Sequence, residues 1–464
     1  MTPRLQFLLL SGLFLALATC KGQSRAPNAP SDAATAQDSG PDNPDSGEPL
    51  AGRGQNPVLP AADIIIELPY GAPAIDYALS VSADPALADI VFLVDTTSSF
   101  GEEIDAIQRD LRTQIIPEIQ VRIELSSFAA ARFEDFPIAP FGSSTDRPFA
   151  LLSAVTSNVD AVQTAIGLLD NPLGLGGDGL ESGIEALFQI GTGEGFKHNG
   201  KQYVAAYKGK ALDGGGSLGG VGFRSGALHL VIQITDAPFH SKSDYAAAIS
   251  DAHSFTEAID ALRSLDVIVI GIASDEFARP DLQSIALATG AVMPPVDGTC
   301  PTGIDGKPNA SIDGQCPLVY DVQGDGSGLS EALVDAVLMF VNTLRYDQVW
   351  LRIDDDRFDF IKSVVAYQAT SPEGIAEPGF ADLQAPFDGK FDTFTAVGPA
   401  TELVFALELQ NDRLPPAVDY DQVFLVPVSI LGDDLVLSEK TLRIVVPSTP
   451  YVGDAGLDAA DASN

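Results

Sequence analysis

The sequence predicts an α/β fold in which a doubly wound parallel sheet is joined to an all-β sandwich. Continuously apolar runs, such as residues 90–94 and 267–272, are typical of strands that are buried on both faces. These runs alternate with segments whose apolar residues recur at helical spacing, as in residues 103–116. Beyond residue 346 the pattern changes to an alternation of apolar and polar residues, which is typical of a sandwich.

Strand and helix signals follow one another through the middle of the chain, in the order expected for a parallel sheet covered on both faces. Strands are predicted at residues 90–94, 121–126, 228–235 and 267–272. Helices are predicted at residues 103–116, 159–169, 182–188, 255–262 and 329–344. In a sheet of this kind, ligands bind at the carboxyl ends of the central strands.

The two flanks of this α/β region predict a second domain. Residues 403–409 and 442–446 alternate as half-buried strands do, and Pro427 marks an edge strand or a bulge. Upstream, residues 64–68 and 77–81 also have strand character. We therefore expect an α/β domain, a sandwich and an N-terminal segment that completes the sandwich, at residues 88–345, 346–448 and 62–87 respectively.

Composition excludes several classes of function. The 464 residues include 64 Asp and Glu against 26 Lys and Arg, which gives a formal net charge of −38. This balance argues against nucleic acid as a partner and against electrostatic docking on anionic lipid. Only 3 Cys and 4 His are present, which leaves little material for zinc, iron–sulfur or thiol chemistry. The acidity instead favours hard cations that take oxygen ligands.

The N-terminus predicts export and a lipid anchor. Arg4 precedes an apolar run at residues 5–17, so residues 1–19 have the pattern of a signal peptide. Residues 17–20, Leu-Ala-Thr-Cys, resemble the lipobox of bacterial lipoproteins, in which the cysteine becomes the lipidated first residue. That resemblance implies lipidation of Cys20. An ordinary secretory signal peptide with an incidental cysteine is the alternative.

Low-complexity segments border the predicted domains. Residues 20–61 are rich in Pro, Gly, Ser, Ala and Asp, which predicts a disordered linker, and residues 449–464 predict a disordered acidic tail. We therefore expect a protein of the cell envelope, held at the outer membrane of a Gram-negative bacterium by its lipid anchor only.

Oxygen-bearing side chains follow the predicted strands at the points where a ligand site is expected. Asp95, Thr97 and Ser99 form a D-x-T-x-S triplet after the strand at residues 90–94, and Asp236 follows the strand at 228–235. Glu181 lies between them, just before a predicted helix. Taken alone, D-x-T-x-S is weak, because Asp, Thr and Ser are ordinary turn and N-cap residues. With the downstream carboxylates, the pattern predicts a cation site.

Three motifs in order resemble the von Willebrand factor A superfamily, and most closely the I-like domain of integrin β subunits. They are DIVFLVDTTSSFGEEIDAIQRDL, GGDGLESGIEALFQ and VGFRSGALHLVIQITDAPFH, and the resemblance covers residues 88–345. It implies a metal-ion-dependent adhesion site for Mg²⁺ or Ca²⁺. The ligands implied are Asp95, Thr97, Ser99 and Glu181, with Asp236 beside the ion or behind one of its ligands.

The same resemblance implies two further cation sites. Glu102 and Glu103 occupy the positions of two aspartates that form an adjacent site in the integrin-type domain; charge complementary to a helix N-terminus is the alternative role of this pair. Asp135 and Asp178 are placed to contribute to a third, flanking site.

Two segments have no counterpart in the integrin pattern. Residues 190–227 form an insertion that carries four lysines, Lys197, Lys201, Lys208 and Lys210. It is either a recognition patch for an acidic partner or a solvated glycine-rich loop. Cys300 and Cys316 bracket a second insertion; in an exported chain whose third cysteine is acylated, they are expected to form a disulfide.

The sequence therefore predicts a surface-tethered binding module rather than an enzyme. Its cation would complete its coordination with a carboxylate from a protein or glycan partner. The alternative is a non-adhesive envelope scaffold whose metal site is purely structural. No nucleophile elbow and no H-E-x-x-H motif is present, and the spacing of His198, His229, His240 and His253 does not indicate metal binding.

Overall fold

The computed structural model describes residues 62–372 and 375–449 of the chain. The predicted signal peptide, Cys20, the linker and all but one residue of the predicted tail lie outside these residues. Within the described part, no helix is both long enough and apolar enough to cross a membrane.

Strands and helices alternate along the first two thirds of the described chain, and strands alone make up the last third. The strands are β1 Ile64–Glu67, β2 Ile75–Ser82, β3 Leu87–Asp95, β4 Leu125–Phe133, β5 Ala150–Thr156, β6 Phe196–His198, β7 Lys201–Val204, β8 Leu228–Thr235, β9 Ile268–Ala273, β10 Val292–Met293, β11 Thr299–Cys300, β12 Asn309–Ala310, β13 Cys316–Pro317, β14 Val319–Asp321, β15 Tyr346–Ile353, β16 Ile361–Thr370, β17 Gly379–Ala381, β18 Thr393–Val397, β19 Glu402–Leu409, β20 Gln422–Gly432 and β21 Leu435–Val446. The helices are α1 Gly101–Asp110, α2 Ile116–Arg122, α3 Val159–Ile166, α4 Gly183–Thr192, α5 Lys242–Tyr245, α6 Phe255–Arg263, α7 Arg279–Thr289 and α8 Leu329–Val341.

The first domain is built on a six-stranded sheet in the order β14-β9-β8-β3-β4-β5. Every neighbouring pair is parallel except β4 and β5, which are antiparallel. The helices form two groups: α1, α2, α3 and α8 contact one another, as do α4, α6 and α7. The predicted doubly wound α/β fold is therefore confirmed, and its central strands are buried along their whole length, as their apolar sequences require.

One predicted strand begins too early. Residues 121–126 were expected to be extended, but α2 continues to Arg122 and β4 begins only at Leu125. The alternation of Val121, Ile123 and Leu125 with charged residues has the period of a strand. Helical continuation from α1 prevails, and Val121 is 90% exposed on the outer face of α2.

The second domain is a sandwich of a six-stranded sheet, in the order β1-β21-β20-β15-β18-β17, and a three-stranded sheet, β16-β19-β2. The segment that precedes the α/β domain contributes one strand to each of these two sheets. β1 pairs in parallel with β21, and β2 pairs with β19 along its whole length. The chain leaves the sandwich after β2, forms the α/β domain, and returns at β15.

Pro427 was expected to mark an edge strand or a bulge. It lies in β20, which is an interior strand, so the edge alternative is wrong. Pairing between β15 and β20 stops at Ile353 and Val428, one residue short of the proline. The carbonyl of Pro427 accepts a hydrogen bond from Asp354, immediately after β15 ends. The missing N–H of the proline therefore faces the end of β15 and breaks no bond of the ladder.

The divided sandwich yields a prediction about folding. Residues 346–449 expressed alone should not melt cooperatively, because removal of β1 and β2 exposes core residues such as Leu407 and Ile444. A chain in which residues 62–85 are joined to residues 346–449 by a flexible linker should regain a cooperative transition, measured by circular dichroism. Cooperative melting of residues 346–449 alone would contradict the prediction.

Candidate metal centre

The register of two neighbouring parallel strands places the central carboxylates together. β3 ends at Asp95, and its last pair with β8 joins Val94 to Ile234. Asp95 therefore lies beside Thr235, and Asp236 follows in the loop after β8. Because parallel strands end at the same edge of a sheet, residues that are 141 positions apart in the sequence meet there.

Asp95 is fully buried and held by three hydroxyl or amide donors. Its Oδ1 accepts hydrogen bonds from the backbone N–H of Thr97, at 2.9 Å, and from Oγ1 of Thr97, at 2.7 Å. Its Oδ2 accepts one from Oγ1 of Thr235, at 2.6 Å. Oγ1 of Thr97 lies 3.4 Å from Oγ of Ser99. The D-x-T-x-S loop thus gathers one carboxylate and two hydroxyls at one point.

Glu181 reaches the same cleft from the segment before α4. Its N–H donates to the carbonyl of Pro238, and its carbonyl accepts from the N–H of His240, so it is bound to the loop that carries Asp236. The next residue, Ser182, donates its hydroxyl to the carbonyls of Glu134 and Pro148. These bonds fix the position of the Glu181 carboxylate without neutralising its charge.

Two carboxylate oxygens at the centre have no hydrogen-bond partner in the described structure. They are Oε2 of Glu181 and Oδ1 of Asp236, and both are buried. A buried carboxylate oxygen without a donor is costly, because it loses its hydration and gains nothing in return. A divalent cation bound by Asp95, Thr97, Ser99, Glu181 and Asp236 would satisfy both oxygens. The residues present therefore fit a hard cation with oxygen ligands.

The electrostatics of the centre agree with this fit. Burial, and then the charge of Asp236, raise the pKa of Asp95 to about 7. Burial, and then the charges of Asp95 and Asp135, raise the pKa of Glu181 to about 11. No lysine or arginine lines the described cleft to offset this repulsion. Without a cation, burial and mutual repulsion therefore favour the protonated forms of Asp95 and Glu181, and a bound cation would stabilise their ionised forms.

The cleft over the centre is open and has an apolar rim. It measures about 430 Å³ and is lined by Thr97, Ser99, Glu181 and Asp236 among others. Two of its lining side chains are large, apolar and exposed: Leu175 at 70% and Phe277 at 69%. The sequence predicted no role for either residue, because a single Leu or Phe in a loop forms no periodic pattern.

The two carboxylates predicted to form an adjacent site differ in their exposure. Glu102 and Glu103 are consecutive in α1, and consecutive helical residues point about 100° apart. Glu102 is exposed, whereas Glu103 is buried and has an unpartnered Oε2. Burial raises the pKa of Glu103, and the nearby Ser274 hydroxyl lowers it in part. A cation site shared by Glu102 and Glu103 stays a prediction.

The structure brings Asp135 and Asp178 together and adds a histidine that the sequence did not indicate. Nε2 of His240 lies 3.1 Å from Oδ2 of Asp135 and 3.1 Å from Oδ1 of Asp178. These three residues offer ligand atoms within 4.8 Å of one another, which is compatible with a bound ion. Nδ1 of His240 has no hydrogen-bond partner. His240 follows Asp236 by four residues, a spacing that gives no ligand signature.

His240 can serve this cluster in two forms. Burial lowers its pKa, but the hydrogen bond and charge of Asp135, followed by those of Asp178, outweigh burial and raise it. As an imidazolium, it neutralises the two carboxylates itself. As a neutral imidazole, it offers Nε2 as a ligand to a cation shared with them.

The expected disulfide is present between Cys300 and Cys316, whose Cα atoms are 5.4 Å apart. Both cysteines are buried, and the loop between them carries β11 and β12. The disulfide lies outside the set of residues that line the metal cleft.

No protein-family model and no curated protein matches the chain in sequence. Solved structures similar to it include a von Willebrand factor type A protein from Catenulispora acidiphila, at 12% identity and a TM-score of 0.30, covering 82% of this chain and 71% of that one. They also include the pilus adhesin SpaC from Lactobacillus rhamnosus GG, at 13% identity and a TM-score of 0.31, covering 81% and 46%. Proximal thread matrix protein 1 from the mussel byssus matches at 15% identity and a TM-score of 0.30, covering 57% and 48%.

This chain thus spans just under half the length of the adhesin and of the mussel protein. Identities this low concern the fold alone. The fold assignment therefore rests on the strand order and register of the chain itself.

The raised pKa of Asp95 predicts a gap in the free energy of unfolding between the wild type and Asp95→Asn, and this gap should depend on pH. In EDTA, Asp95→Asn should be more stable than the wild type near pH 8, because the amide keeps one oxygen for Thr97 and carries no charge. A folded-state pKa of about 7, above the ordinary 3.8, means that protonation favours the folded chain. The gap should therefore close as the pH falls from about 7 towards 3.8, by about 1.4 kcal/mol per pH unit. Urea denaturation at several pH values measures it; a gap that does not change with pH would contradict the assignment.

Proposed function

We propose that this chain is a cell-envelope lipoprotein whose von Willebrand A-type α/β domain binds a protein or glycan partner through a divalent cation. Mg²⁺ or Ca²⁺ held by Asp95, Thr97, Ser99, Glu181 and Asp236 would complete its coordination with a carboxylate of the partner. The observation that carries the proposal is that Thr97, Ser99, Glu181 and Asp236 line one open cleft with two unpartnered buried oxygens, and that the buried Asp95 is hydrogen-bonded to Thr97.

The mixture of ligands favours capture of an external carboxylate. Thr97 and Ser99 would bind the ion as neutral hydroxyls, so they leave more positive charge on it than carboxylates in their places would. The cleft is open on one side, so part of the coordination sphere faces the solvent. An acidic group from a partner would meet an ion that retains charge and has an accessible position.

The rim of the cleft supports a partner that is partly apolar. Leu175 and Phe277 are exposed next to the carboxylates, and neither belongs to the hydrophobic core of the α/β domain. Apolar contacts of this kind increase the area buried around a central polar group, as in many protein interfaces.

The cellular setting of the proposal rests on the sequence. Residues 17–20 resemble a lipobox, and residues 20–61 have the composition of a long linker. A lipid on Cys20 would hold the domains at the membrane through the anchor only, and the linker would give the metal cleft reach from the surface.

The second candidate function is a structural scaffold in the envelope, in which the cation only stabilises the α/β domain. The deep burial of Asp95 favours this candidate, because a bound ion would relieve its unfavourable burial even without a partner. Both functions predict that metal stabilises the fold, and only the first predicts a ligand whose binding needs the metal.

Removal of one ligand separates the two functions. Mg²⁺ or Ca²⁺ at a hundredfold its Kd should stabilise the wild type by about 2.7 kcal/mol, measured as a rise in Tm, and Asp95→Ala should abolish this rise. Capture of a partner from envelope material should be lost in EDTA and with Asp95→Ala. Asp105→Ala, which changes an exposed aspartate of α1, is the matched control and should behave as the wild type does. A partner that binds Asp95→Ala normally would contradict the adhesive function.

A further inference from the structure

A second cleft, of about 670 Å³, lies along β5 at the edge of the central sheet. One wall is β5 itself, another is formed by Ala161 and Ala165 of α3 and by Leu168 just after it, and the third is the segment 203–207. None of its lining residues lines the metal cleft, so the two clefts are separate sites on the α/β domain.

The edge of β5 is open for most of its length. Consecutive residues from Phe149 to Ala154 line the cleft, which places the edge of the strand, rather than one face, against the empty space. Among the described residues, the backbone groups of residues 150–153 have no hydrogen-bond partner outside β4, and the carbonyl of Ala154 accepts a hydrogen bond from Oγ of Ser153. At the C-terminal end the edge is closed, because Val155 donates its N–H to the carbonyl of Val221.

An open edge of this kind is unusual in a soluble protein, since unpaired strand edges invite another strand. The opposite edge of the sheet, β14, is only three residues long. β5 has seven residues, ALLSAVT, with no charge and no proline, and its register against β4 shifts between Phe128 and Ala130 and between Ala130 and Ala131. The exposed part of its edge can still accept a short additional strand.

The lining of this cleft differs in charge from the chain as a whole. Its lining includes Arg147 and no acidic residue, in a protein with a formal net charge of −38. Three exposed lysines flank the segment 203–207 in the sequence: Lys201 lies 4.6 Å over the ring of Tyr203, and Lys208 and Lys210 follow Tyr207. In the described structure, none of these lysines has an ion-pair partner.

We propose that the cleft binds an extended, acidic peptide segment of a partner protein, which joins the sheet as an additional strand on β5. The backbone of the peptide would pair with residues 150–154, a stretch of roughly 17 Å at about 3.3 Å per residue. Its small apolar side chains would lie on the Ala and Leu side chains of the floor. Its carboxylates would meet Arg147, Lys201, Lys208 and Lys210 at the rim.

Charge complementarity selects this occupant. A neutral strand would leave four cationic groups without partners, and a basic one would be repelled. The lysine-bearing insertion that the sequence left open between recognition and solvation is thereby assigned to recognition. This site needs no cation, so it is independent of the proposed metal-dependent function.

The test uses the full chain and synthetic nine-residue peptides labelled for fluorescence anisotropy. The probe Gly-Asp-Val-Asp-Val-Asp-Val-Asp-Gly should bind, with an affinity that falls as salt is added. Its lysine counterpart should not bind. N-methylation of the valine amides, which removes strand hydrogen bonds but no charge, should weaken binding at least tenfold.

Variants of the chain complete the design. Charge reversal by Lys208→Glu with Lys210→Glu should weaken the acidic peptide at least tenfold, and Lys307→Glu, an exposed lysine outside the cleft, should leave binding unchanged. EDTA and Asp95→Ala should have no effect, which separates this site from the metal cleft. Circular dichroism confirms that each variant is folded.

Four results would overturn the proposal. They are the absence of binding to the acidic peptide, equal binding of the N-methylated peptide, lysine-dependent binding to anionic phosphatidylglycerol vesicles without peptide binding, and tighter binding of a peptide of residues 30–48. The last would assign the cleft to the chain's own acidic segment.

Discussion

The candidate site depends on one constraint, the parallel pairing of β3 with β8. This register sets the end of β3 at Asp95 beside the end of β8 at Thr235. A shift of one residue would turn Asp95 to the other face of the sheet, because side chains alternate along a strand. The constraint is strong, since both strands are buried on both faces and tolerate no slip that would misplace their apolar side chains. The register of two buried apolar strands thus fixes the position of the Asp95 carboxylate.

At this centre, the unfavourable burial of carboxylates is combined with side-chain positions that are fixed by hydrogen bonds. Asp95 is completely buried, yet three donors fix its oxygens, and Glu181 is bound through its backbone to the loop after β8. Hydrogen bonds therefore fix the positions of Asp95 and Glu181, and no lysine or arginine lining the described cleft offsets the charge of their carboxylates. A site prepared in this way loses little conformational freedom when a cation enters, so more of the binding free energy is retained.

Sequence reasoning succeeded where a physical rule connects distant residues. Strand ends meet at one edge of a parallel sheet, and this rule places Asp95 beside the loop that carries Asp236. Thr97, Ser99, Glu181 and Asp236 line one cleft, and Asp95 is hydrogen-bonded to Thr97. Their role as metal ligands stays a prediction, as does a shared cation site for Glu102 and Glu103.

Other features had no local signal. His240 reaches Asp135 and Asp178 only through the path of the loop after β8, which spacing does not encode. The open edge of β5 is also invisible in the sequence, since ALLSAVT reads equally well as an interior strand. Both features are products of topology, which a single sequence defines only coarsely.

The insertion of the α/β domain between β2 and β15 has a mechanical consequence. Two covalent connections link that domain to the sandwich, and Asp84 braces the first by accepting from Arg122, at 2.8 Å, and from the N–H of Ala400, at 3.1 Å. A force applied at the cleft over the candidate metal centre would be shared by these two connections instead of being carried by one. Tension from the N-terminal side would reach β1, whose parallel bonds to β21 lie side by side along the strand. These hydrogen bonds would be loaded in shear, so they would resist the force together and would not break one after another.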